Sequence, residues 1–412
     1  MKINKYLPFA VLYFFFNSFG LPFGLTYTTI LGPVFYIYII RERKKDIFLP
    51  FLLIFTILYL IHSYFGVIDK DYFISFLNIS GVYIFCQAFY TWIKADKNPE
   101  RIFARLLQIN FIFCLLAIPV YFSEFQDLLW IEQYLTDGFN NFRRLKLFTY
   151  EASYFATLMV PLFFFFLIQM VLNKNKMNRI LLLAMIGLPY ILSFSLGVIS
   201  CIVLSLLITY TIHFKTLTRR RSVLNAITAA TIIGVCLLLV GVLFFPENPL
   251  FVRIGNILDD KDSSGRGRTY EAFNLALKIL EQRNSFWGIG IGQMKFLGAE
   301  IIRDYYLYPP ELTGMSIPNA TAETLLIFGY FGLTVRFAFE LFLFIYARVW
   351  KNYFQLLLFC FIFIYQFTGS FITNIAEYII WILAFVNVFP QFDIKPRVST
   401  TQTLPLNIVK TI

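Results

Sequence analysis

Arginine is the residue type in this sequence that is best suited to hold a phosphate group. Its planar guanidinium donates two parallel hydrogen bonds to a phosphate or a carboxylate. One stretch of chain, 246–319, contains a series of them: Arg253, Arg266, Arg268, Arg283 and Arg303. Arg266 and Arg268 are the leading candidates, because they stand at the start of an amphipathic helix predicted from Arg268 to Gln282, where backbone N–H groups also favour an anion. The apolar face of this helix is predicted from the helical spacing of Ala272, Leu275, Ala276, Ile279 and Leu280. The alternative is the ordinary surface charge of a solvated loop.

Two glutamates stand at the starts of apolar runs, and Glu151 could act as a general base toward a hydroxyl group. Glu151 opens the segment Glu151-Ala-Ser-Tyr-Phe155, ahead of a long apolar run. Glu151 and Ser153 could instead begin and cap the helix that follows, because acidic residues suit its first turn. Glu323 lies in the first turn of a later apolar run, and a carboxylate near a bilayer is costly and needs a reason. Its alternative is a partly hydrated residue at the membrane interface.

Alternating glycines in Trp287-Gly-Ile-Gly-Ile-Gly292 would allow the backbone to approach a ligand closely. The segment is not the dinucleotide-binding fingerprint, because no strand-turn-helix unit surrounds it. A tight loop that packs on the membrane surface explains the same glycines. Both interpretations stay open from the sequence.

The other reactive residues favour structural roles. The five cysteines lie in apolar blocks without a CxxC pair, and the two histidines are far apart, so we predict neither a metal site nor a cofactor. No P-loop is present, which argues against ATP-driven transport by this chain. Arg336 and Glu340 are four residues apart on one predicted helix and can pair, with Arg336 reaching toward the inner end of its span. Glu377 opens the last span. Acidic residues within the spans are few, which argues against a proton-coupled pump.

The elements that must position these residues are membrane helices. The chain is 58% hydrophobic and 14% charged, and its apolar residues come in blocks of about twenty, which is the length that crosses a bilayer as helix. We therefore predict an all-α polytopic membrane protein with about twelve spans. These are 6–21, 24–40, 47–66, 72–93, 102–122, 151–172, 180–196, 197–214, 223–245, 320–345, 353–372 and 376–391.

Basic residues predict the orientation of these spans. With the N-terminus in the cytoplasm, every short cytoplasmic loop is basic, as the positive-inside rule requires. The net charge of +11 mostly records this rule and does not predict nucleic-acid binding. The region 1–245 then contains nine membrane helices. A smaller periplasmic loop at 123–150 lies within this region and carries Arg143 and Arg144. A large periplasmic loop follows at 246–319, then three helices over 320–391 and a cytoplasmic tail at 392–412.

Several motifs resemble the Wzy family of O-antigen and polysaccharide repeat-unit polymerases, which is related to the O-antigen ligases. Glu151-Ala-Ser-Tyr-Phe-Ala156 is similar to the family's Glu-Pro-Ser-aromatic segment, with Ala in place of Pro. Gly265-Arg-Gly-Arg268, an amphipathic helix and the glycine run resemble its Arg-helix-Pro-x-Gly-x-Gly loop. The stretch from Pro318-Asn319 to Gly332 resembles its His-Asn…Gly-x-x-Gly entry to the next span. The resemblance covers roughly 145–335.

The resemblance implies a GT-C-like glycosyltransferase at the periplasmic face of the bacterial inner membrane. Its substrates would be undecaprenyl-pyrophosphate-linked oligosaccharides, and its pathway partners a flippase and a chain-length regulator. Arg266 and Arg268 would bind pyrophosphate, assisted by Arg143, Arg144 or Arg253. Glu151 or Glu323 would serve as base or orienting group. The other residues that we assign to substrate binding are Arg283, Arg303 and Asn319.

Two other functions compete with the polymerase. A lipid-linked oligosaccharide flippase has a similar number of spans, but it should carry charges along a central cavity and needs no large external loop. An O-antigen ligase would share the fold and join polymer to lipid A core. The His that this family often places before the Asn falls here at Pro318, which counts against the ligase.

Overall fold

The computed structural model describes residues 6–21, 25–43, 47–133, 142–172, 177–218, 263–307 and 316–394. These residues are mostly helical, which confirms the predicted all-α class. The predicted span 223–245, Arg253 and the tail beyond residue 394 lie outside the described residues. The sheet seen in this part of the chain is one antiparallel hairpin, β1 (Trp130–Gln133) with β2 (Phe142–Leu145), within the predicted loop 123–150.

Each predicted span that falls within the described ranges contains a helix. The helices before the hairpin are α1 (Leu7–Val11, continued by a π-turn over Leu12–Phe16), α2 (Tyr27–Ile30), α3 (Gly32–Arg43), α4 (Phe48–Tyr64), α5 (Asp69–Ala95), α6 (Pro99–Val120) and α7 (Gln126–Leu129). After it come α8 (Ala152–Val171), α9 (Arg179–Ser193), α10 (Leu196–Ile212), α11 (Phe214–Leu217), α12 (Ser263–Arg268), α13 (Tyr270–Leu280), α14 (Met294–Leu297), α15 (Ala299–Tyr306), α16 (Ala320–Tyr346), α17 (Tyr353–Tyr365) and α18 (Ile375–Phe385). Short 3₁₀ turns follow at Val349–Lys351 and Pro390–Phe392.

Length and composition make several of these helices candidates to cross a membrane. Within the described part of the chain, α5, α6, α8 and α16 with its continuation to Lys351 are each long and apolar enough. Others, such as α4 and α10, are equally apolar but shorter. A helix rises 1.5 Å per residue, so roughly 20 residues span the hydrocarbon core. The helices are therefore compatible with a membrane protein.

Helix α8 is the centre of the bundle. Fifteen of its 20 residues are buried, as expected for a helix that is apolar on every side. It packs against α9, α10, α17 and α18. Phe164 and Phe165 lie wholly inside, where Phe164 contacts Phe361 of α17 and Phe165 contacts Phe389. This packing holds the N-terminus of α8, and with it Glu151, in one place.

Helix α16 is broken at Gly329, so the predicted continuous span 320–345 is wrong in this respect. Gly329 has φ 66° and ψ −166°, outside the helical region. The Arg336 guanidinium contacts the Ala320 carbonyl oxygen at 3.4 Å. In a continuous helix, residues 16 positions apart would be separated by about 24 Å, beyond the reach of an arginine. The second half of α16, residues 330–346, therefore folds back beside the first half, residues 320–328.

The segment 285–290 repairs the hydrogen bonds that this break removes. Leu326 and Ile327 would accept from residues 330 and 331 in a continuous helix, but their carbonyls accept from Ile289 and Gly290, both at 3.0 Å. The amides of residues 330 and 331 donate instead to the carbonyls of Ser285 and Phe286, at 3.1 and 3.0 Å. Irregular backbone inside a membrane protein requires such internal partners.

The glycine run makes this insertion sterically feasible. A Cβ added to Gly288 would lie 2.3 Å from the Ile327 carbonyl oxygen, and one added to Gly329 would lie 2.3 Å from that of Phe286. At Gly292 it would lie 2.4 Å from the Asp71 carbonyl oxygen. The close approach that the alternating glycines predict is therefore made to the chain's own backbone. This is the packing interpretation of the motif.

The segment 263–307 packs on the end of the bundle that carries the α4–α5 turn and the first half of α16. Helix α13 buries Ala272, Leu275, Ala276 and Ile279 against the first half of α16, which confirms the predicted amphipathic face. The other side of this segment contacts the turn between α4 and α5 at three points. The Arg283 guanidinium donates to the Phe65 carbonyl, His62 Nε2 bonds the Trp287 carbonyl at 2.9 Å, and the Ile68 amide donates to Gln293 Oε1 at 2.8 Å.

Candidate functional site

Glu151 stands at the N-cap position of α8 with an extended backbone, φ −147° and ψ 144°. Its side chain makes no capping hydrogen bond to the helix. The Ser153 hydroxyl donates to Glu151 Oε1 at 2.5 Å. The capping alternative therefore does not account for this carboxylate, which remains available to another partner.

That partner is Arg268. Its Nη2 lies 3.5 Å from Glu151 Oε1, and the two side chains are 35% and 28% exposed. An ion pair that solvent reaches contributes little to stability, about 0–1 kcal/mol, so a stronger anion can displace the carboxylate. The pair thus joins a candidate base to a candidate phosphate ligand from distant parts of the chain.

Asn319 holds the backbone around Arg268. Its Nδ2 donates to the Arg268 carbonyl at 2.8 Å and to the Phe367 carbonyl at 2.7 Å. Its Oδ1 accepts from the Ala322 amide at 2.8 Å and so caps α16. The residue has no exposed surface. Asn319 therefore ties three segments together beneath the site, and its geometry is that of a positioning residue.

Space for the Arg268 guanidinium comes from Gly369. A Cβ at that position would lie 3.3 Å from Arg268 Nη1. On the other side, Tyr150 stacks on Tyr154 with ring centroids 4.8 Å apart. Burial, and the nearby Glu151 carboxylate, raise the pKa of the Tyr150 phenol well above its usual value. The Tyr150 phenol therefore stays protonated and neutral beside the pair.

Arg266 lies close by but has its own carboxylate. Its Nε is 3.4 Å from Glu271 Oε1, and the Tyr306 hydroxyl donates to Glu271 Oε2 at 3.0 Å. The helix predicted from Arg268 to Gln282 begins at Tyr270 instead. Arg266 and Arg268 thus belong to the last turn of α12. Arg268 directly precedes Thr269, the N-cap residue of α13, so the predicted helix start lies within two residues of the observed one, and anion binding there stays a prediction.

The remaining arginines are distributed over other contacts. Arg143 Nη1 bonds Asp127 at 2.7 Å, and the buried Arg144 donates from Nε to the Ser193 carbonyl at 2.8 Å. Arg283 is bonded to the α4–α5 turn, as described above. Arg303 is half-buried on α15. The structure thus brings Arg268 together with Glu151, and it gives Arg266, Arg143, Arg144 and Arg283 other partners.

Glu323 lies on the first half of α16, at the other side of the 366–372 connection. Its Oε2 accepts from the Ile372 amide at 2.7 Å. This bond ties the broken helix to the turn before α18. Glu323 and Glu151 therefore occupy different environments. Of these two glutamates, Glu151 is the one that forms an ion pair with an arginine among the described residues.

A second polar cluster surrounds Arg336. The predicted pair with Glu340 is confirmed at 3.0 Å. Arg336 also contacts Glu377 of α18 and donates to Gln366 Oε1 at 2.9 Å and to Thr324 Oγ1 at 2.9 Å. The predicted reach toward the inner end of the span is wrong, because the break at Gly329 turns Arg336 toward the other half of its own helix. The sequence signals only the i,i+4 pair.

Arg336, Glu340 and Thr324 line a large apolar groove. The groove has a volume of about 1260 Å³ and lies between α4, α5, the second half of α16 and α18. Its walls are mostly aromatic and aliphatic, with Phe55, Val335 and Trp381 among the lining residues. Ligand sites typically measure about 300–1,000 Å³, so the groove is large enough for a lipid chain.

Within the described residues, no group of three His, Cys, Asp or Glu side chains is arranged to hold a metal ion. The Glu151–Arg268 pair offers the chemistry of one carboxylate and one guanidinium group. The chain matches no protein-family model and no curated protein.

Proposed function

We propose that this protein is a glycosyltransferase of the bacterial inner membrane that polymerises undecaprenyl-pyrophosphate-linked oligosaccharide repeat units. The observation that carries the proposal is the partly exposed Glu151–Arg268 pair. It unites a candidate base with a candidate pyrophosphate ligand at one end of the helix bundle. The charge pattern of the sequence supports a periplasmic location for this end, with about twelve spans and both termini in the cytoplasm.

The proposed reaction begins when the donor's pyrophosphate displaces Glu151 from Arg268. Arg266, whose side chain is about as exposed as that of Arg268, would hold a second phosphate. The acceptor's hydroxyl oxygen then bonds to the anomeric carbon of the donor sugar. The bond from that carbon to the pyrophosphate oxygen breaks, and its electron pair leaves with the lipid pyrophosphate. The hydroxyl proton passes to the Glu151 carboxylate.

Electrostatic stabilisation of the leaving group would supply much of the rate enhancement in this scheme. Charge develops on the pyrophosphate as the sugar–oxygen bond breaks, and guanidinium groups already in place stabilise it without reorganisation. A flippase would deliver the substrates, and a chain-length regulator would limit the product. Neither a metal nor another cofactor enters the proposed steps.

A second candidate function is transport of the lipid-linked oligosaccharide across the membrane. The Arg336 cluster favours it, because a flippase should carry charges along a cavity and these side chains line the groove. The broken helix α16 is also a common feature of transporters. The Glu151–Arg268 pair, which lies away from the groove lining, has no evident role in transport.

One experiment separates the two. The gene would be deleted from its strain and restored, and lipopolysaccharide would be separated on a gel. Core carrying a single repeat unit in the deletion strain, with the ladder restored by the gene, would support polymerisation. Bare core would support transport or ligation, and an unchanged ladder would contradict all three.

Variants then test the site itself. Glu151→Gln and Arg268→Gln should each give the single-unit pattern although the protein is present at normal amounts on an immunoblot. Glu281→Gln and Arg101→Gln are matched controls, because both residues are exposed and distant from the pair. A full ladder from Arg268→Gln would remove the central support of the proposal.

A further inference from the structure

The Arg336 cluster has a charge imbalance that the proposed reaction does not use. Arg336 contacts two carboxylates, Glu340 from its own helix and Glu377 from α18. All three side chains are largely buried, and that of Glu377 is only 1% exposed. One positive charge thus faces two groups that would each be negative if ionised.

Hydrogen bonding is unequal between the two carboxylates. Glu340 is bonded at both oxygens, by Arg336 at Oε1 and by Gln366 Nε2 at Oε2, each at 3.0 Å. Glu377 Oε1 contacts Arg336, but Glu377 Oε2 is buried without a hydrogen-bond partner in the structure as described. An ionised oxygen that is buried and unbonded is far more costly than a neutral one.

The surrounding charged and titratable groups do not correct the imbalance. Glu323 faces the cluster from the first half of α16 and adds a third carboxylate. Tyr378 of α18 faces Arg336, and Cys86 of α5 faces Tyr378. Gln366 and Thr324 contribute only dipoles. Among the described residues, Arg336 is the one cation that pairs with these carboxylates.

We propose that Arg336, Glu340 and Glu377 form a proton-binding site in the wall of the groove, holding one proton between the two carboxyl groups. The unbonded Glu377 Oε2 and the single guanidinium between two carboxyl groups are the geometric basis of this site. The loaded site is electrically neutral, with one guanidinium and one carboxylate. Its access route is the groove, which Arg336 and Glu340 line directly.

Carboxyl protonation can be observed directly by infrared spectroscopy of the protein in lipid nanodiscs. A protonated carboxylic acid has a carbonyl stretch that is separate from those of carboxylates and amides, and it shifts in D₂O. We expect this band in the wild-type protein at neutral pH. We also expect its loss in Glu377→Gln, in Glu340→Gln or in both. Glu300→Gln, on the exposed face of α15, is the matched control and should keep the band.

Three results would overturn the proposal. They are a wild-type protein without the band, a band that survives both substitutions, and a band lost only in Glu323→Gln. If the substituted proteins fail to fold, a wild-type protein without the band still overturns the proposal. The band should then disappear on alkaline titration in step with a change at the guanidinium absorption, since Arg336 is the partner. The readout is independent of polymer formation, so its failure would leave the gel experiment unaffected.

Discussion

The arginines in this protein fall into two groups according to what their guanidinium groups contact. Arg144 and Arg283 donate to backbone carbonyls and so hold segments of the chain together. Arg266 and Arg268 face carboxylates and keep about a third of their side-chain surface exposed. A bound phosphate can displace a carboxylate from a guanidinium group. A backbone carbonyl that holds two segments together is fixed by the fold and cannot be displaced in this way. We therefore expect activity and stability to depend on different arginines.

Arg268→Gln should lower the rate of polymer formation about 10²-fold, the typical effect of removing one donor that stabilises developing negative charge. The melting temperature should hardly change, because the ion pair is solvent-exposed. The measurement is polymerisation by purified protein on lipid-linked repeat units. Arg283→Gln is the counterpart and should lower the melting temperature instead, because it leaves the Phe65 carbonyl without its donor.

Lys146 provides a pH-dependent prediction. Burial lowers the pKa of its ammonium group, and the nearby Asp127 only partly opposes this. The unfolded chain therefore binds the proton more tightly, and stability rises with pH between the lowered pKa and the ordinary value of 10.5. Lys146→Met should raise the melting temperature at pH 7. It should also remove part of the increase of stability with pH. Lys295→Met, at an exposed position, should do neither.

At the scale of elements, the central feature is the broken helix α16 and the segment inserted into it. The break places Thr324 and Arg336 side by side, and the insertion supplies four backbone hydrogen bonds. Gly288 and Gly329 touch backbone to backbone, both with positive φ. The break, the glycine run and the Arg336 cluster therefore depend on one another structurally, so the loss of one should disrupt the others.

Gly288→Ala and Gly329→Ala should each destabilise the protein by several kcal/mol. Either Cβ would meet backbone atoms within 2.6 Å, and positive φ adds a strain of about 1–2 kcal/mol. Gly187→Ala is the control, because its Cβ would meet nothing within 4 Å and the residue lies in helix α9. That change should stabilise by about 0.5–1 kcal/mol. Equal melting temperatures for the three variants would contradict the described insertion.

On the scale of the whole molecule, the helix ends that carry the site lie on one side of the bundle. The α4–α5 turn, the start of α8, the segment 263–307 and the 366–372 connection are linked by direct hydrogen bonds or ion pairs. The other end gathers Lys351, Asn352 and Asp393. The proposed periplasmic site requires these two ends to face opposite sides of the membrane.

Cysteine labelling tests this orientation. In a cysteine-free background, Leu307→Cys should react with a membrane-impermeant maleimide in intact cells, because residue 307 is 89% exposed at the site end. Arg348→Cys, exposed at the opposite end, should react only after the inner membrane is permeabilised. The reverse pattern would place the Glu151–Arg268 pair in the cytoplasm and exclude a periplasmic polymerase.

The sequence alone determined what depends on local pattern. Apolar blocks predicted the helices, because burial in lipid and helical hydrogen bonding are satisfied within one segment. The spacing of Ala272, Leu275 and Ile279 predicted the buried face of α13, and the spacing of Arg336 and Glu340 predicted their pair. Glu151 was recognised as the residue that opens α8. Each of these features is set by neighbours a few positions away in the chain.

Tertiary structure alone decided which distant residues meet. Glu151 pairs with Arg268, and Arg336 with Glu377, only because helices far apart in sequence pack side by side. The break at Gly329 had no sequence signal stronger than a glycine, since the hydrogen bonds that stabilise it come from segment 285–290. Packing also decided which arginines remain exposed. The chemistry of a site follows from such through-space contacts, and spacing along the chain does not encode them.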